Sequence, residues 1–117
     1  MEPSTFILTL LHTATGAQLL HWQAKSFAAH EALGELYESL PGAVDRLVEV
    51  YQGRRGVVTG YGGGFKPPAD AVKFVRAIVG FVDENRGILG GESEVQNLVD
   101  EVQAHLTRAL YRLENLS

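Results

Sequence analysis

The sequence predicts an all-α protein, a four-helix bundle with one long connection. Three observations predict it. Apolar residues recur at three- and four-residue spacing in four separate stretches. No segment alternates apolar and polar residues at the two-residue period of a half-buried strand. The connections run short, long, short, the order expected of two helical hairpins joined by a crossover. The 117 residues make a single domain, large enough to bury a core and small enough to gain from oligomerisation.

The first helix spans about 4–25, with Ser4 offering its hydroxyl to a free N–H of the first turn. Phe6, Ile7, Leu8, Leu10, Leu11, Leu19, Leu20 and Trp22 cover most of its circumference. A helix that is apolar nearly all round is buried on more than one side, which in so small a domain means a subunit interface. Gly16 sits mid-helix at a cost of roughly 1 kcal/mol against alanine, and marks a close helix–helix approach.

Ser26 caps the second helix, about 26–52, whose inward residues run from Leu33 to Tyr51. Pro41 removes a backbone donor and crowds the carbonyl of Tyr37, so a kink or break is expected near Leu40. Gly53 supplies the stop. Residues 53–66 hold six glycines and read as a loop. The loop has no preceding strand and no Gly-Lys-Ser/Thr ending, so it is not a phosphate-binding P-loop. About 14 residues at ~3.3 Å each reach roughly 45 Å, enough to run the length of a bundle. Pro67-Pro68 opens the third helix, about 67–86, with Val72, Val75, Val79 and Val82 in one stripe. The fourth, about 93–115, starts with a capping box at Ser93-Glu94-Val95-Gln96.

Composition removes several function classes. A net charge of −4 argues against nucleic-acid binding, which needs clustered cations to displace phosphate counterions. The start, Met1-Glu2-Pro3, has no basic region, and no apolar run is long enough for a signal peptide or a membrane span. A soluble, cytoplasmic protein is the expectation. With no cysteine there is no disulfide, thiolate metal site or cysteine nucleophile.

The chemistry concentrates between His21 and His30, a stretch that also holds the only tryptophan, Trp22. Asp45 follows His30 by fifteen residues and Glu49 by nineteen, and these two acids share a helix face. Imidazole and carboxylate are the ligand types of an iron-like site. His21 and His30 flank a short turn and can be neighbours. His30 and Asp45 lie roughly 22 Å apart on a continuous helix, so they cannot hold one ion within one subunit. A site using His21, His30, Asp45 and Glu49 needs a second copy, antiparallel across a two-fold axis. His12, on roughly the opposite face of its helix from His21, reads as structural or interfacial, and His105 as core or interface.

These residues resemble a known motif. His21-Trp22, then Lys25, Phe27 and His30-Glu31, are similar to the His-Trp-Asn-x-x-Gly…Phe…His-Glu pattern of the Dps proteins, the ferritin-like mini-ferritins. The spacings from the second histidine to the Asp and Glu match as well. The form His-Trp-Gln-x-Lys-Ser-x-x-x-His also resembles a short bacteriophage-encoded Dps-like group. The resemblance covers about residues 12–52. It implies a ferritin-like bundle, a homo-oligomer, and a ferroxidase site with histidines from one subunit and acids from its mate.

Three departures accompany it. The segment between the histidines is three residues shorter. The family's acidic ligand four residues after the second histidine falls on Gly34. The basic DNA-binding tail is missing, so DNA binding is not expected. The expected function is therefore Fe(II) oxidation at an inter-subunit site binding iron or another divalent metal, with Trp22 beside it. The alternative is a non-enzymatic structural or assembly protein on the same fold, phage-encoded in one version, whose metal site is degenerate or purely structural.

Overall fold

A computed structural model describes all 117 residues. Four helices account for the chain: α1 (Pro3–Gln23), α2 (Phe27–Arg55), α3 (Ala71–Asn85) and α4 (Ser93–Asn115), with a short 3-10 turn at Arg86–Leu89. There is no strand. The molecule measures 43 × 28 × 22 Å.

Side-chain pairings define the directions. Arg54 and Arg55, at the end of α2, pair with Glu94 and Glu92 at the start of α4. Glu35, near the start of α2, pairs with Arg108 and Arg112 near the end of α4. The two helices are therefore antiparallel. His21 and His30 join the end of α1 to the start of α2, so that pair is antiparallel too. Phe6 stacks on Phe81, while Gly16 lies under Phe74, which sets α3 against α1. Twenty-two apolar side chains form one core between the four helices. Phe6, Leu10, Leu36, Leu40, Leu47 and Leu106 are among the most completely enclosed.

Residues 56–70 connect the two hairpins. The segment leaves the end of α2 where the Val58 N–H donates to the Gln52 side chain at 2.9 Å. It passes His12, whose ring lies 5.2 Å from that of Phe65, and then Gly16, which Pro68 approaches. It ends with Ala69 beside Leu20 and Leu33 at the opposite end of the molecule. The segment thus descends the full length of α1.

Several helix ends differ from the sequence reading, each for a physical reason. Glu2, not Ser4, precedes the first turn of α1; Pro3 takes the first helical position and Ser4 is buried. Pro41 does not break α2, which runs unbroken for 29 residues. The proline is exposed, so the ring meets solvent and one lost hydrogen bond is outweighed by the core packing on either side. Gly53 does not stop α2 either. The stop is Gly56, at φ 94°, where a side chain would be strained. Pro67 and Pro68 lie in the connection, and α3 starts at Ala71, where the Asp70 carboxylate accepts from the Lys73 N–H at 3.0 Å. The expected capping box on α4 does not form. The Gln96 amide instead donates to the carbonyls of Arg86 and Gly90, at 3.0 and 2.7 Å, and holds the preceding turn.

Candidate metal centre

His21 lies in the last turn of α1 and His30 in the first turn of α2, separated by a link that Ser26 closes by accepting from the Ala29 N–H at 3.1 Å. The two side chains clasp each other's backbone. The His21 Nδ1 lies 2.6 Å from the His30 carbonyl, and the His30 Nδ1 lies 3.0 Å from the His21 carbonyl. A carbonyl only accepts, so each Nδ1 carries the proton and donates. In the neutral ring the lone pair is then on Nε2. The His21 carbonyl belongs to the last turn of α1 and has no helical donor, so His30 satisfies an otherwise orphaned acceptor.

The rings stack with centroids 3.7 Å apart and planes 20° from parallel. Tyr37, two turns along α2 from His30, sits against His21 at 5.3 Å and 58°. Sequence reasoning missed Tyr37, although its seven-residue spacing from His30 places it on the same helix face. Both histidines are half-buried. The stacking limits their chemistry. Imidazole lone pairs lie in the ring plane, so two nearly parallel rings cannot direct both onto one ion.

Gly34 is buried directly beneath this pair. A Cβ built there would lie 2.8 Å from Cε1 and 2.9 Å from Nδ1 of His21. The ring fills the volume in which a side chain at position 34 would stand.

Asp45 and Glu49 lie on the exposed face of α2. Fifteen residues of unbroken helix put Asp45 roughly 22 Å from His30. Glu31 and Glu38 extend the same stripe, and none of the four has an ion-pair partner. Arg46, beside them in sequence, points to Glu101 at 3.7 Å. Within one copy no three histidine or acid side chains gather to hold a metal ion. Trp22, which follows His21 in the last turn of α1, is 66% exposed. His105 is exposed as well and lines a groove between α2 and α4, so it is not a core residue. The His12 ring packs on the connection through Phe65.

The chain matches the model described as "Family of unknown function (DUF5856)" over residues 21–113. It belongs to that family. No curated protein and no solved structure matches it. The family segment begins at His21 and takes in His30, Gly34, Tyr37, Asp45 and Glu49, together with α2, α3 and α4. Most of α1 precedes it.

Elsewhere, the groups with displaced pKa values sit at the far end of α2. The Arg55 guanidinium hydrogen-bonded to Glu92 holds that carboxyl below its usual range, while Glu94 and Glu92 raise Arg54 and Arg55 respectively. These are surface ion pairs tying α2 to α4, remote from the histidines.

Proposed function

We propose that this member of the family is a Dps-like, ferritin-like homo-oligomer that takes Fe(II) at a site shared across a two-fold interface and oxidises it. The reciprocal clasp of His21 and His30 carries the reading. A metal-bound histidine typically donates its second ring N–H to a carbonyl or carboxylate, which fixes the tautomer and leaves the other nitrogen as the ligand. Both rings have that arrangement here.

Two further observations support it. The short, long, short connectivity, with a crossover running down α1, is that of ferritin-like bundles. α1 has no Asp, Glu, Lys or Arg over 21 residues, yet its outward side leaves Leu11 and Trp22 exposed. Such a face is covered in an assembly. A second copy laid antiparallel on it would bring Asp45 and Glu49 toward the histidines of its mate. Nitrogen and oxygen donors of this kind suit Fe(II), and zinc as a competitor.

In this scheme iron is substrate. His21 and His30 donate through Nε2; the mate's Asp45 and Glu49 supply negative charge and oxygen ligands, which favours Fe(III) over Fe(II). Two Fe(II) ions pass two electrons to one peroxide, which takes up two protons and leaves as two waters. Dioxygen is the other oxidant of the same class. The protein is read as cytoplasmic, and no helix is long and apolar enough to cross a membrane.

A second reading has one specific observation in its favour. Position 34 offers no oxygen donor, because the His21 ring occupies its space. A site with fewer ligands could hold a metal without turning over, as a staple in a structural or assembly protein, including one of phage origin.

Metal content and the rate of Fe(II) oxidation in wild type, His30→Ala and Asp45→Ala separate the readings. The ferroxidase reading expects bound iron and a loss of at least about tenfold in rate in each variant. Stoichiometric metal without oxidation supports the staple. Absence of metal from an intact oligomer sinks both.

A further inference from the structure

We propose that Gly34 is a positioning residue: its missing side chain is the seat of the His21 imidazole, and the clasp between His21 and His30 depends on it. A glycine in the interior of α2 costs helix stability relative to alanine, so its presence calls for a reason. The reason is local. Position 34 is one helical turn after His30, and the helix hydrogen-bond pattern pairs its N–H with the His30 carbonyl. The same carbonyl receives the His21 Nδ1–H at 2.6 Å. To reach it, the His21 ring must lie flat over residue 34.

A Cβ there would press on the two ring atoms nearest that hydrogen bond, Cε1 at 2.8 Å and Nδ1 at 2.9 Å. The ring cannot slide away along the stack, because His30 lies 3.7 Å on one side and Tyr37 at 5.3 Å flanks it. The backbone of α2 cannot give way, since Leu33 and Leu36 on either side are buried in the core. Any side chain at position 34 therefore expels His21. The His30 carbonyl loses its second donor, the stack opens, and the His21 Nδ1 proton is no longer held in place.

The seat stands on geometry alone; its consequence for metal binding rests on the function proposed above. The experiment separates the two. Wild type, Gly34→Ala, His21→Ala and the double variant are compared by chemical denaturation and by 15N NMR of the histidine rings, with Zn(II) titration as a redox-inert probe. The seat predicts that His21 and His30 are both Nδ1–H tautomers in wild type. It predicts that Gly34→Ala destabilises the wild-type background and moves His21 to a mixed tautomer. In the His21→Ala background the same change stabilises, because the clash is gone and alanine is the better helix former. Zn(II) affinity falls by about 10- to 100-fold in Gly34→Ala, the loss typical of a disturbed outer-shell contact.

Stabilisation by Gly34→Ala in both backgrounds, with His21 unchanged in tautomer, would overturn the proposal. A reversal of sign without any change in Zn(II) binding would keep the seat and contradict the metal reading. If Gly34→Ala does not fold while the double variant does, the seat is supported in its strongest form. If neither folds, position 34 fails for reasons unrelated to His21 and the proposal falls.

Discussion

His21, His30, Gly34 and Tyr37 form a unit in which each residue has a separate task. The histidines exchange hydrogen bonds with each other's carbonyls, Gly34 provides space, and Tyr37 closes the open side of His21. Pro41, two turns beyond Gly34, is the opposite case: its ring is exposed, and it deprives the Tyr37 carbonyl of its helical donor. Replacing it by alanine restores a hydrogen bond and introduces a good helix former, offset in part by the freer unfolded chain. Pro41→Ala is expected to raise the unfolding free energy by about 1–3 kcal/mol, read from urea denaturation at fixed protein concentration. An unchanged midpoint would mean that the helix has already relaxed around the ring. The sequence made the proximity of His21 and His30 legible, because both flank a turn too short to separate them. It did not make Gly34 legible as a seat. A helical glycine signals close approach, as Gly16 does beneath Phe74, but the sequence does not say which side chain approaches.

At the level of elements, α2 lies between α1 and α4, while α3 packs on α4 and α1. Helix α2 packs on α1 through the histidine clasp and on α4 through ion pairs at both ends. The Arg55–Glu92 pair has a definite pH signature. Its carboxyl is held below the usual range, chiefly by the hydrogen bond from Arg55. A depressed pKa stabilises the fold above the ordinary carboxylate value, and that contribution is lost as pH falls through the lowered one. Glu92→Gln should thus be less stable than wild type at neutral pH, with the gap closing as the solution is taken from about pH 7 to pH 3. A gap that stays constant with pH would show that the pair contributes packing and not charge.

The helices themselves were legible from apolar spacing, and α4 carries the limits that spacing set. Their ends were less so, because local competition decides them. Gln96 had two carbonyls within reach and left the cap, and Gly56 took the left-handed position that Gly53 had the composition to take.

On the scale of the whole molecule, the outward side of α1 carries no charged residue and leaves Leu11 and Trp22 exposed. A 43 × 28 Å side is wide enough to bury the roughly 800 Å² per partner that a stable dimer needs. On α2, Glu31, Glu38, Asp45 and Glu49 are exposed and have no ion-pair partner. The sequence could anticipate that the histidines and acids lie too far apart on one chain, because helical rise is fixed. It could not anticipate that the rings stack with nearly parallel planes, which requires the three-dimensional course of the link between α1 and α2.

The central claim is that each site is completed by a second copy, and subunit complementation tests it most directly. His30→Ala and Asp45→Ala, each inactive alone, are refolded together in equal amounts, and Fe(II) oxidation is measured. In a two-fold dimer the mixed pair has one site with both defects and one with none. Random mixing makes about half the dimers hybrid, so the account predicts recovery of roughly a quarter of the wild-type rate. A mixture that forms hybrid dimers and remains as inactive as its parents would contradict it.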